Sequence, residues 1–405
     1  MPNLRLNRYI SWVRFLPVSA PTLILLTLIA LWAGCQSPQQ PAPAITDLSD
    51  SPRLARDPAR ISSTEVRENE PEIPARDALR PQPQPTPPAT NRAPAETLTR
   101  SPLDTKPRRA KTPLRLEWIS LAQWCQEHRL AEPRKLPGEN FVQEIKSSSG
   151  LVTLTLGSHT ATWNGVQFWL GFAPRSQRGV LHLHSLDLEK HLRPLLLPDP
   201  DLTPIQRTVV LDPGHGGDNL GTRSILRAAY EKDYALDWAR RLAPLLAAQG
   251  WQVFLTRTND RALSITERVE FTSEKQAVLF ISLHFNSIPG HPNQRGLETY
   301  ALAPQWMPSH HSRDGGEPIA FALPGNAHDE KNFLSAMKIH ASLLKATKAP
   351  DRGVRRARFM GVLRNQSQPA VLIEGGYLTS PSESRNIDHP DYRQKLAEAV
   401  AAALD

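Results

Sequence analysis

From residue 208 to the carboxyl terminus, short apolar runs alternate with stretches whose apolar positions recur at helical spacing, the pattern of an α/β domain. Residues 208–211 (Thr-Val-Val-Leu) predict a short buried strand that opens directly into the turn Asp212-Pro213-Gly214-His215-Gly216-Gly217. A helix is predicted over 231–248 and a strand over 251–256. Ser264-Ile265-Thr266-Glu267 has the form of a capping box that opens a second helix. Strands follow over 277–283, ending at His284, over 297–301, and over 370–373, ending at Glu374. Long helices are predicted over 329–347 and 391–404.

Upstream, the chain between Leu114 and Leu197 predicts a smaller α+β unit. Residues 152–156 alternate, and residues 161–163 and 166–170 flank the pair Asn164-Gly165, a strong hairpin signal. Residues 119–125 read as a short amphipathic helix with Ser120 near its start and Cys125 packed inside as a small hydrophobe. Earlier still the pattern fails. Residues 36–112 contain no aromatic residue and include the run Pro81-Gln82-Pro83-Gln84-Pro85-Thr86-Pro87-Pro88. Such a segment cannot bury enough apolar surface to offset its chain entropy, so it is expected to be a disordered, partly polyproline-like linker. The expected organisation is therefore residues 1–35 as a separate leading segment, 36–112 linker, 113–200 small α+β domain and 205–405 α/β domain.

The leader has an export layout. Arg5, Arg8 and Arg14 precede an apolar run, Leu23 to Trp32, that is too short for a comfortable membrane span. Ala33-Gly34-Cys35 resembles the lipobox of bacterial lipoproteins, with Trp32 standing where that pattern prefers leucine. The resemblance implies cleavage before Cys35 and lipidation of its thiol. Gln36 in the next position points to the outer membrane. A plain cleaved signal or a retained anchor is the alternative.

Three residues able to ligate metal or carry protons, His215, His284 and Glu374, fall just past the carboxyl ends of predicted strands, where open α/β sheets place their sites. The fourth, Glu231, lies on the apolar stripe of its helix with Ala235, Trp238, Leu242 and Leu245. An inward carboxylate needs a partner, which a metal or the helix dipole could supply. Two imidazoles and one carboxylate form the donor set of an open zinc site, with a position left for water. A nearby uncoordinated carboxylate, Glu374, can then take the water's proton. Each residue alone has a bland reading, as turn, core or loop residue. The four together point to metal-assisted hydrolysis.

The segments VVLDPGHGGDNLGT, LFISLHFNS, GLETY, DRGVRRARFMGVLR and PAVLIEGGYLTSPSESRNI resemble the zinc-dependent N-acetylmuramoyl-L-alanine amidases in order and spacing across 207–404. That resemblance implies a twisted mixed sheet with helices on both faces and one Zn2+ per catalytic domain, held by His215, Glu231 and His284. It implies Glu374 as the catalytic glutamate, with Arg268 and Asn286 as structural or supporting positions behind the ligands. The implied reaction is hydrolysis of the amide between N-acetylmuramic acid and L-alanine, with peptidoglycan as the partner and the periplasm as the place. The implied purpose is wall remodelling or daughter-cell separation. Departures are mild: Ala229-Tyr230 precedes Glu231 where a glycine is usual, and Leu283 and Phe285 flank His284. In relatives an element near 304–325 can block the cleft until an activator protein displaces it. Here Pro304, Pro308, Pro318 and Pro324 speak against a blocking helix before Asp329. Residues 114–197 resemble, more loosely, the small amino-terminal domain of copper amine oxidases, through WISLAQW and the WNGVQFWL hairpin, which suggests a wall-binding or spacing role.

Composition changes this picture little. The two cysteines, Cys35 and Cys125, exclude cysteine-based zinc sites and a disulfide framework. The net charge of +8 comes from scattered arginines, with no basic stripe interleaved with aromatics, so no nucleic-acid partner is expected. A zinc peptidase or amidase acting on another exported substrate, and an inactive wall-binding regulator, remain the competing readings.

Overall fold

The computed structural model describes residues 115–138, 141–198, 207–310 and 317–405, all within one compact unit, Ser101–Asp405. The expectations for the leader, Cys35 and the linker lie outside the described residues. Among those described, no helix is long and apolar enough to cross a membrane.

The carboxy-terminal half is built on six strands. These are β9 (Thr208–Pro213), β10 (Gln252–Leu255), β11 (Leu279–Asn286), β12 (Leu297–Leu302), β13 (Asp351–Ala357) and β14 (Ala370–Tyr377). Their order is β10-β9-β11-β14-β12-β13. The first four are parallel, β12 is antiparallel to β14, and β13 is parallel to β12. Helices cover both faces, as a sheet buried on two sides requires. On one face, Val209, Leu211, Ile281, Leu283, Val371 and Ile373 pack against α4 (Glu231–Ala248), α6 (Asp329–Thr347) and α9 (Pro390–Leu404). On the other, Val210, Phe280, Tyr300 and Leu372 meet Phe271 of α5 (Ile265–Glu274) and Val362 and Leu363 of α7 (Gly361–Arg364). A short α8 (Pro381–Asp388) joins β14 to α9.

Local chemistry sets the element ends. Ser264 Oγ accepts from the Glu267 N–H at 3.2 Å while Glu267 Oε2 accepts from the Ser264 N–H at 2.7 Å, so the capping box forms as expected. Two strands extend further than the apolar runs suggest. β11 continues through His284 to Asn286, and β14 through Glu374 to Tyr377. The extra ladder is supplied by pairing: Glu374 is in register with His284 on one side and Glu298 on the other. β13 and α8 go unannounced by the hydrophobic pattern. In β13, Arg352, Arg355 and Arg356 interrupt the apolar positions, yet Arg355 and Arg356 are buried.

The smaller unit contributes β1 (Trp118–Ser120), α1 (Leu121–Glu127), β2 (Arg134–Lys135), β3 (Val142–Lys146), β4 (Leu151–Thr155), β5 (Thr160–Trp163), β6 (Val166–Trp169), β7 (Arg175–Gln177) and β8 (Val180–His184). A helical run follows, α2 (Ser185–Asp187), a π-turn (Leu188–Leu192) and α3 (Arg193–Leu196). Asn164 and Gly165 take φ of 50° and 82°, the conformation a two-residue hairpin loop needs. Ser120 caps α1, and Cys125 is buried there with its thiol pushed up to about 11 by burial.

This unit is built into the larger one. β6 pairs with β13 through Phe168 and Val354, so β2 to β6 extend the sheet to eleven strands. Phe168 packs edge-on against Phe333 of α6, and both units share one apolar core. The buried Arg356 donates to Leu302 O at 3.0 Å, to Lys190 O at 2.9 Å and to His191 Nε2 at 3.1 Å, bridging the two. Such a guanidinium is tolerated in a core only because its donors are satisfied.

Candidate metal centre

His215, Glu231 and His284 converge. Each offers one ligand atom, and those atoms lie within 4.8 Å of one another. Among the described residues no other His, Cys, Asp and Glu side chains form such a group. His215 leaves the turn after β9, Glu231 opens α4, and His284 stands near the end of β11. His291 is exposed, His310 lies tilted against the Trp169 ring, and His328 lies against Ser367 O at 3.0 Å. His311 lies outside the described residues.

Glu231 is held by backbone as well as by imidazoles. Its Oε1 accepts from the Phe285 N–H at 3.1 Å and its Oε2 from the Thr222 N–H at 3.1 Å. Thr222 returns the contact, because its carbonyl accepts from the Glu231 N–H at 2.8 Å. His215 Nε2 faces Oε2 at 3.0 Å, and His284 Nδ1 faces Oε1 at 2.9 Å. Two glycines allow this density. A Cβ on Gly214 would lie 2.3 Å from His284 Cε1, and one on Gly221 would lie 2.7 Å from Glu231 Cβ.

The donor chemistry suits a cation. His215 Nδ1 donates to Asn219 Oδ1 at 2.8 Å, which leaves the Nε2 lone pair turned toward a carboxylate oxygen. An acceptor then faces an acceptor, and either a proton or a metal ion can bridge them. Burial works against the ionised Glu231, yet its contacts with His215 and His284 hold its carboxyl far below the usual range. Burial likewise lowers His215, but its bonds to Glu231 and Asn219 carry it above its ordinary value overall.

Glu374 stands beside this triad as the register partner of His284. Its Oε2 is shut off from solvent and has no hydrogen-bond partner among the described residues. Burial, and then the negative charges of Glu231 and Glu298, push its carboxyl well above the usual carboxylate range. Glu298, on its other flank, is the opposite case. It is buried at 2% exposure and accepts from Asn286 Nδ2 (3.1 Å), Tyr300 Oη (2.6 Å), Tyr377 Oη (2.7 Å) and Arg352 Nε (2.5 Å), with Arg355 at 3.4 Å.

Asn286 therefore supports Glu298 rather than a ligand, whereas Arg268 reaches the ligand turn itself, donating to His215 O at 2.7 Å. Asn219, Thr222, Arg257 and Glu298 are contributors that pattern reading passed over. A signal existed for two of them. Asn219 sits four residues after His215 in the glycine-rich turn, and Glu298 is a charged residue inside an apolar strand.

Residues 209–405 match the family model described as N-acetylmuramoyl-L-alanine amidase. The chain is 29% identical over 220 residues to the N-acetylmuramoyl-L-alanine amidase AmiA of Escherichia coli, covering 49% of this chain and 75% of that protein. It is 30% identical over 199 residues to the probable cell wall amidase LytH of Staphylococcus epidermidis, covering 49% of this chain and 57% of LytH. A crystal structure of an N-acetylmuramoyl-L-alanine amidase from Clostridium difficile 630 is 31% identical, covers 49% of this chain and 95% of its own, and has a TM-score of 0.41.

Proposed function

Residues 209–405 belong to the N-acetylmuramoyl-L-alanine amidase family, and from that premise we propose that the protein is a zinc enzyme of peptidoglycan hydrolysis. Its reaction adds water across the amide between the lactyl group of N-acetylmuramic acid and L-alanine, releasing a free stem peptide. The observation that carries this reading is the convergence of two imidazoles and one buried carboxylate within 4.8 Å, beside an uncommitted carboxylate oxygen of Glu374.

In this reading His215 Nε2, His284 Nδ1 and the Glu231 carboxylate hold the ion. When bound, zinc supplies Lewis acidity to a water molecule and to the scissile carbonyl. Glu374 accepts the proton of the attacking water at its carboxylate and delivers it to the leaving amine. Its Oε2 has no hydrogen-bond partner among the described residues, which leaves it available for that transfer. Asn219 keeps the His215 lone pair aimed inward, and the backbone N–H groups of Thr222 and Phe285 orient Glu231.

The place of action follows from the amino-terminal signal. The proposal is export to the periplasm, anchorage at the outer membrane through lipidated Cys35, reach into the wall along residues 36–112, and a role in wall remodelling or daughter-cell separation. A protein activator and a wall-binding or spacing contribution from residues 113–200 belong to the same proposal. The deciding experiment is digestion of purified sacculi with and without a chelator. Free stem peptides that disappear on chelation and return with zinc support the reading. Intact sacculi under zinc-replete conditions overturn it.

A further inference from the structure

We propose that Arg257 and Arg268 form a paired guanidinium clamp that sets the triangle of His215, Glu231 and His284 before any metal binds, with Arg257 the positioning residue that ties the first ligand to the second. The inference rests on the metal-centre reading above and deepens it.

The turn after β9 is tied to β11 by the Gly214 N–H, which donates to Leu283 O at 3.0 Å, and closes on itself between Gly216 and Asn219. His215, one residue beyond that contact, takes a φ of 60°, in the left-handed region that non-glycine residues rarely adopt. Such a conformation persists only when its surroundings over-determine it. Four guanidinium hydrogen bonds fall on the three consecutive carbonyls of Pro213, Gly214 and His215. Arg257 Nε donates to Pro213 O at 3.0 Å and its terminal nitrogen to Gly214 O at 2.8 Å. Arg268 donates to Pro213 O at 3.0 Å and to His215 O at 2.7 Å.

Each arginine also reaches a second ligand's segment. The same terminal nitrogen of Arg257 that holds Gly214 donates to Lys232 O at 2.8 Å. Gly214 precedes His215 and Lys232 follows Glu231, so one nitrogen spans two ligand-bearing segments. Arg268 pairs with Asp212 Oδ1 at 2.5 Å, and Asp212 Oδ2 accepts from Ser282 Oγ at 2.8 Å. Ser282 lies two residues before His284 on the same strand. Arg257 thus links His215 to Glu231, and Arg268 with Asp212 links His215 to His284. Both guanidiniums are buried, at 2% and 6% exposure. Lysine cannot substitute, because an ammonium is a single point without the planar fork that serves several carbonyls in fixed directions.

The test uses the full chain and three variants, Arg257→Lys, Arg268→Lys and, as an equally buried guanidinium remote from the turn, Arg356→Lys. Zinc affinity is measured by competition with a chromophoric chelator, coordination by the visible spectrum of the cobalt-loaded protein, and stability by the metal-free Tm. Arg257→Lys and Arg268→Lys are expected to bind zinc about 10–100-fold more weakly and to alter the cobalt bands. Arg356→Lys should lose stability while keeping wild-type affinity and spectrum. Unchanged zinc affinity and cobalt bands in Arg257→Lys overturn the inference. So does failure of both clamp variants to fold where Arg356→Lys folds, since the guanidiniums would then serve the fold and not the site. A wild-type chain that takes up no zinc sinks the metal reading itself, an outcome distinct from either.

Discussion

His284 and Glu374 are register partners on adjacent parallel strands, so an imidazole and a carboxylate whose Oε2 has no hydrogen-bond partner among the described residues stand side by side. The pairing separates two duties. His284 turns its Nδ1 to Glu231, while Glu374 makes no contact with that carboxylate among the hydrogen bonds of the site.

Glu374→Gln should therefore cut turnover without emptying the site. General acid–base groups contribute about 10²–10⁴-fold, and a loss of that size is expected in muropeptide release. Zinc content measured by atomic emission should stay at the wild-type level. Loss of metal together with activity would place Glu374 among the ligands.

His284→Ala and Glu231→Ala should each lose metal. A ligand present at a thousand times its Kd stabilises the native state by about 4 kcal/mol. Added zinc should raise the wild-type Tm and leave both variants unmoved. A full zinc-induced shift in His284→Ala would contradict its role.

Glu298 supplies a pH dependence. Burial opposes its ionisation, but Arg355, Tyr300, Arg352 and Tyr377 together hold its carboxyl below the ordinary value of 4.5. Its native pKa lies below its unfolded one, so its contribution is fully present above about pH 4.5 and is lost as pH falls through the lowered value. Glu298→Gln leaves the buried Arg355 and the half-buried Arg352 without their carboxylate and should cost about 3–5 kcal/mol near neutrality. Its Tm should also fall less steeply on acidification than that of the wild type. Parallel acid limbs for the two proteins would rule this out.

The junction between the two units predicts cooperative unfolding. Phe168 is buried against Phe333, and Phe168→Ala should cost about 3–5 kcal/mol. That loss should appear in a single thermal transition reported equally by probes on either unit. Two separated transitions in the wild type would show that the shared sheet does not couple them.

Much of this was legible along the chain because burial on both faces writes strands as apolar runs. β9, β12, α4 and α6 stand where their patterns begin and end, to within two residues. The four candidate residues stand out by position, just past three apolar runs and on an apolar helix face. What stayed hidden was polar and buried. β13 carries three arginines, and a hydrophobicity pattern reads them as surface, although Glu298, Lys190 O and Leu302 O satisfy them inside. On α4 the apolar stripe is wider than its pattern suggests: Leu245 packs against the core half-buried, and Leu246 beside it is fully buried.

The amino-acid order alone determined the alternation of strands and helices, the hairpin at Asn164-Gly165, the capping box at Ser264, and which side chains could ligate or carry protons. These depend on interactions within a few residues, or on periodicity that a linear pattern records. Only the tertiary structure decided that β6 joins β13, that Glu374 stands between His284 and Glu298, and that one nitrogen of Arg257 joins the turn after β9 to the start of α4. Those relationships join residues 25 to 186 positions apart, and they arise from which buried donors find which carbonyls once the sheet has closed.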